Sequence, residues 1–130
     1  MDEQEMMQTG LKIRKEIFGA AVVENRMASV GEFGAPLQKF INQYAYGEVW
    51  GRPGLTRKMR SLLVLGMMCA ANRPHELRIH LRGALTNGCT QEEIREVLLQ
   101  VAIYCGIPAS LDAHNIAVEV FAEAQQPTRD

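Results

Sequence analysis

Asn72-Arg-Pro-His-Glu-Leu-Arg-Ile-His-Leu-Arg-Gly-Ala-Leu-Thr-Asn-Gly88 holds a start signal, a stop signal and a helical repeat in one short span. Pro74 suits a first helical turn, where its missing N–H is no loss, and Asn87-Gly88 tolerates the left-handed conformation of a C-terminal cap. Between them Leu77, Leu81, Ala84 and Leu85 form one apolar stripe, while Glu76, His80, Gly83 and Asn87 line a neighbouring strip. Glu76 and His80 therefore lie one turn apart, with the small Gly83 expected to leave open space beside them. A carboxylate within reach of an imidazole can fix its tautomer and support its charge, which suits a general acid or base near neutral pH. The same spacing is also that of an ordinary exposed helix pair, worth roughly 0.2–0.5 kcal/mol.

Charge distinguishes this region. Residues 52–82 carry Arg52, Arg57, Lys58, Arg60, Arg73, Arg78 and Arg82 against Glu76 alone, seven cations less one acid, or +6. The whole chain is at −1, so the remainder holds −7, and an anion is drawn to the middle third.

The 130 residues, 47% hydrophobic, suit a single domain over 1–130 with one core. No apolar run approaches the ~20 residues of a membrane span. The acidic start, with Asp2, Glu3 and Glu5, lacks the layout of a signal peptide, so a cytoplasmic location is expected and no membrane partner. Three widely spaced cysteines, Cys69, Cys89 and Cys105, write neither a disulfide framework nor a zinc site; the expectation is reduced, mostly buried thiols. His75, Glu76 and His80 could supply metal ligands in principle, but no metal-binding spacing is present and none is expected.

Working outward, residues 2–19 read as an amphipathic helix with Met7, Leu11, Ile17 and Phe18 inward and Lys12, Arg14, Lys15 and Glu16 facing water. Residues 20–30 lack a clean period and read as a connection. A second helix over 31–46 begins an aromatic cluster of Phe33, Phe40, Tyr44, Tyr46 and Trp50, which forms either a shaped apolar wall or a core anchor. Gly47-Glu-Val-Trp-Gly-Arg-Pro-Gly-Leu55 reads as a structured loop, because Gly and Pro at this density do not continue a helix. On it Trp50 can stack on a planar ligand and Arg52 can fork to a carboxylate, or Trp50 can pack inward. Thr56 then caps a helix to about Ala71 whose first turn holds Arg57, Lys58 and Arg60, against the helix dipole. That placement calls for an anion or a carboxylate partner, or is plain solvated charge.

Thr90-Gln91-Glu92-Glu93 is a capping box that opens a helix to Cys105, apolar on nearly all sides. Gly106 ends it and Pro108 opens the next, with Ala109, Ala113, Ile116, Ala117, Val120, Phe121 and Ala124 in a stripe of small residues; 125–130 reads as a frayed tail. No strand pattern occurs. The fold class is all-α, about six helices, with no repeats or second domain. A helix that apolar cannot be covered by one small domain, so a homo-oligomer is expected.

Gly47-Glu-Val-Trp-Gly-Arg-Pro-Gly-Leu55, Glu76-Leu-Arg-Ile-His-Leu-Arg-Gly-Ala84, and Thr90-Gln-Glu-Glu-Ile-Arg-Glu-Val-Leu-Leu-Gln100 through Ile103-Tyr-Cys-Gly106 resemble the carboxymuconolactone decarboxylase family across nearly the whole chain. The resemblance implies an alkylhydroperoxidase-like all-α fold assembled into trimers or hexamers, a hexamer being expected. The family's thiol enzymes carry Cys-x-x-Cys-x-x-x-His; with His80 as that histidine, Arg73 and Glu76 stand at the cysteine positions, so dithiol chemistry has no residues here. The decarboxylase branch fits instead. It implies loss of CO2 from 4-carboxymuconolactone, in protocatechuate breakdown by the β-ketoadipate route, without metal or organic cofactor. The lactone is the electron sink, so the site must bind anions, stabilise an oxyanion and deliver a proton. Arg52, Arg57 and Arg60 are the anion binders, Trp50 covers the ring plane, His80 delivers the proton and Glu76 orients His80. Tyr104 and Glu48 are reserve candidates.

The last helix departs from the family's Pro-Ala-Ala-Asn-Glu-Ala-Phe, having Pro108-Ala-Ser-Leu-Asp-Ala-His114. Ser110, Leu111, His114 and Asn115 thus leave open a related carboxylated lactone or another small anion. Two other classes compete. Arg-rich helices at 56–71 and 74–87 could mimic a helix-turn-helix nucleic-acid module, although the chain is slightly acidic overall; no nucleic-acid partner is expected. A thiol peroxidase using isolated Cys69, Cys89 or Cys105 is the other.

Overall fold

The computed structural model describes residues 2–126. The tail expected at 125–130 lies outside the described residues beyond Gln126. Six α-helices are present and no strand among the described residues: α1 (Glu3–Phe18), α2 (Ala20–Phe40), α3 (Arg57–Ala70), α4 (Pro74–Thr86), α5 (Gln91–Cys105) and α6 (Ile107–Ala124), with a π-helical segment, Ile41–Val49, after α2. The all-α class is as expected. No helix is long and apolar enough to cross a membrane among the described residues. The chain forms two compact units, Met1–Thr56 and Arg57–Asp130.

In the first unit Asp2 caps α1: its carboxylate accepts from the Glu5 N–H, and the Glu5 side chain accepts from the Asp2 N–H, at 2.8 and 3.2 Å. Gly19, at φ +95°, ends α1 and starts α2. Residues 20–30 are helical and not a connection. They lack a clean period because Val23 alone among them is buried, so no apolar stripe marks the helix there. Gly31, at φ +53°, is where α2 kinks.

The other correction concerns Gly47. It lies inside the π-helical segment, not in a loop, because it serves close packing: a Cβ on it would stand 2.4 Å from the Met6 carbonyl oxygen. A Cβ on Gly10 of α1 would stand 1.6 Å from the Asn42 carbonyl oxygen. Two glycines thus let two helices approach closer than any side chain allows. Arg14 also departs from expectation. It is buried, donating to Gln38 Oε1 at 2.7 Å and Asn42 Oδ1 at 3.0 Å, because a guanidinium under the crossing can satisfy amide oxygens that water does not reach.

In the second unit the core is formed by Leu65 and Cys69 of α3, Leu77, Leu81 and Ala84 of α4, Ile94, Leu98 and Val101 of α5, and Ala113, Ala117 and Val120 of α6. The start and stop signals hold: Pro74 opens α4, Gly88 follows it at φ +88°, and Thr90 and Glu93 form their reciprocal cap at 2.9 and 3.1 Å. Ser110, a departure noted in the last helix, is buried and donates to the Leu98 carbonyl at 2.6 Å, tying α6 to α5. The apolar excess of α5 is real. Leu99, Ile103 and Tyr104 stand exposed beside its buried Ile94 and Leu98.

Candidate active site

Helix α4 presents the strip that the sequence singles out, and the structure divides it. Toward its C-terminal end the strip packs on α3: Asn87 Nδ2 donates to Ser61 Oγ at 2.9 Å, and Gly83 is buried. Gly83, expected to leave open space beside His80, lies in the buried part of the strip. Toward the N-terminal end Glu76 is exposed and His80 half-buried. Burial pushes the His80 pKa below the ordinary imidazole value, and the Glu76 carboxylate acts in the opposite direction. The two are electrically coupled, with desolvation dominant, so His80 is mainly neutral at pH 7. An imidazolium formed there is a stronger acid than one in water.

The anion-binding candidates are dispersed. Arg57 and Arg60 lie half-buried in the first two turns of α3. Between them Lys58 Nζ meets Glu93 at 2.8 Å, the carboxylate partner that basic residues at a helix start call for. Arg78 pairs with Glu119, and Arg82 with Glu123 at 3.0 Å. Three acids distant in sequence, Glu93 of α5 and Glu119 and Glu123 of α6, thus offset half of the +6 of the middle third.

In the first unit Trp50 takes the core-anchor role. Its ring stacks on Tyr46 at 5.8 Å, and Tyr46 meets Phe18 edge-on at 5.7 Å above Ile13 and Ile17. Burial raises the Tyr46 hydroxyl to about 12. The aromatic wall splits: Phe33 is fully exposed, and Phe40 and Tyr44 pair on an outer face. Glu48 and Arg52 pair with each other at 3.2 Å. Tyr104 is exposed near the end of α5.

The buried thiols Cys69 and Cys89 are not poised for nucleophilic chemistry. Burial raises Cys69 to about 11, with Cys105 contributing, and raises Cys89 as well. Cys69 and Cys89 are buried, as expected of most of the thiols, and Cys105, the last residue of α5, is exposed. Among the described residues no three His, Cys, Asp or Glu side chains gather as a metal-ligand set. Sequence reasoning gave no role to a cleft at the start of α4, edged by Arg73, Asp112 and Asn115. Only the left-handed Asn72, at φ +55° two residues before Pro74, marks that turn in the backbone.

Over 123 residues the chain is 39% identical to 4-carboxymuconolactone decarboxylase of Acinetobacter baylyi, covering 95% of this chain and 92% of that protein. It is 46% identical over 104 residues to nitrosuccinic acid decarboxylase of Metarhizium robertsii, covering 80% and 73%. An uncharacterised 15.0 kDa protein of Paracoccus denitrificans is 30% identical, with 95% and 92% covered. The model of the carboxymuconolactone decarboxylase family matches residues 35–119, and this chain belongs to that family.

Proposed function

We propose that this chain is a carboxy-lyase that removes CO2 from a small carboxylated acid, with 4-carboxymuconolactone as first substrate. One observation carries the reading: two relatives at 39% and 46% identity are both decarboxylases, although their names give different acids. In the lactone, the C–CO2 bond breaks and its electron pair passes into the unsaturated ring, forming a dienolate with charge on the lactone oxygen. One proton then adds to carbon. His80 delivers it and Glu76 holds the imidazole and supports its charge, while Arg57 and Arg60 on α3 are the candidates for binding the anion. Because the acidic form is the imidazolium and burial makes it scarce at pH 7, turnover should fall as pH rises through a midpoint below the usual ~6.5. The raised thiols support the decarboxylase reading over a thiol peroxidase.

The working form is a homo-oligomer, a hexamer by family resemblance, in the cytoplasm. Exposed Leu99, Ile103, Tyr104 and Leu111 on α5 and α6 support an assembly. The test is incubation of the purified protein with freshly generated 4-carboxymuconolactone, and separately with nitrosuccinate, following CO2 release. Release from the lactone establishes the reading, and release from nitrosuccinate alone moves the substrate but keeps the reaction class. Release from neither ends it.

A further inference from the structure

The cleft at the start of α4 has a volume of about 270 Å³. Met68 of α3, Leu77 of α4 and Ile116 of α6 give it apolar walls, and Arg73, Asp112 and Asn115 edge it. Cys69 also lines it, and burial keeps that thiol protonated, so it adds to the apolar surface. Arg73 and Asp112 carry opposite charges and line one cavity. Yet among the described residues neither forms an ion pair, and Arg73 makes only a long contact, Nη1 to the Ala71 carbonyl at 3.4 Å. Elsewhere in this unit the basic side chains Lys58, Arg78 and Arg82 each hold a carboxylate. The two charges at this cleft come from different elements, the α3–α4 turn and α6.

Two opposite, unpaired charges on one apolar-walled cleft match a molecule that carries both charges beside an apolar body. We infer that this cleft binds a small zwitterion of that kind, of which an α-amino acid with an aliphatic side chain is the simplest form. Its carboxylate meets the Arg73 fork, at the lip where Pro74 opens α4 and the positive end of the helix dipole adds to the attraction. Its ammonium group meets Asp112, and its aliphatic body lies on Met68, Leu77 and Ile116. The space equals about nine water volumes of ~30 Å³, which suits a molecule the size of leucine. A plain carboxylate would leave Asp112 facing an anion, and a plain amine would face Arg73; selection comes from those repulsions as much as from the new pairs. None of these residues is assigned to the decarboxylation, so the inference stands or falls separately from it.

The experiment is isothermal titration of the full chain with L-leucine, 4-methylpentanoate and 3-methylbutylamine, which share one aliphatic body. Leucine should bind saturably, and each single-charge analogue should bind about tenfold more weakly or worse. Arg73→Gln and Asp112→Asn should each weaken leucine by a similar factor without lowering the melting temperature, and Asp112→Asn should abolish the preference for leucine over 4-methylpentanoate. Absence of saturable leucine binding overturns the inference. So does an analogue that binds as tightly as leucine, or leucine binding indifferent to both substitutions in folded protein.

Discussion

Residues 41–55 and residues 72–88 both read, in sequence, as ligand-facing stretches, one through its Trp, Arg and glycines, the other through its Glu–His pair. The structure treats them differently. In the first, Trp50 stacks into a core, Glu48 and Arg52 pair with each other, and Gly47 serves a helix crossing. In the second, Glu76 and His80 retain an electrostatic relation, on a helix fixed by a core stripe and by the ion pairs of its Arg78 and Arg82 with Glu119 and Glu123 of α6. A residue type suited to chemistry can be consumed by packing, and position on a rigid element decides which happens.

The strongest way to break this comparison is Gly10→Ala. If the crossing in the first unit is what Gly10 and Gly47 serve, a Cβ 1.6 Å from the Asn42 carbonyl oxygen forces the backbone apart. The expected cost is about 3 kcal/mol or more, seen as a lost or much earlier thermal transition by circular dichroism. An unchanged transition would return Gly47 to the role of a loop residue. Trp50→Ala comes next, with an expected loss of about 2–3 kcal/mol in denaturant unfolding from the stripped Tyr46 face. If stability held while substrate affinity collapsed, the ligand-facing role would be restored.

A smaller effect is expected from pH. His80 has a folded pKa below its unfolded value, so the unfolded chain binds more protons across that interval and stability rises with pH there. The contribution is complete above the unfolded value of ~6.5 and is lost as pH falls through the folded pKa. Melting curves from pH 7.5 to 5 should therefore decline less in His80→Gln than in wild type. Glu48→Gln should have the smallest effect, under about 0.5 kcal/mol, because both partners of its ion pair are largely exposed.

Much of the fold was legible because its signals are local. Pro74, Gly88, the Thr90–Glu93 box and Gly106 each act on neighbouring backbone and need no tertiary knowledge. Residues 20–30 were not legible as helix, since an exposed helix leaves no apolar period. Nor was Arg14, whose partners Gln38 and Asn42 lie more than twenty residues away. The candidate site was half legible for the same reason. Spacing on one helix put Glu76 beside His80, but the acids that neutralise Lys58, Arg78 and Arg82 come from other helices, so a charge sum along the chain overstated the field. Likewise Arg73 and Asp112 line one cleft from segments almost forty residues apart, and no local pattern joins them.

The account rests most heavily on α4 as the reaction centre, and kcat/KM for CO2 release from 4-carboxymuconolactone, measured against pH in wild type and His80→Gln, tests it most directly. The amide keeps volume and some hydrogen bonding but holds no transferable proton. Turnover should fall by roughly 10² to 10⁴ and the pH-dependent limb below ~6.5 should disappear, with the fold retained. Normal turnover and an unchanged pH limb in folded His80→Gln would contradict it, leaving Glu76 and His80 an ordinary pair on a helix surface.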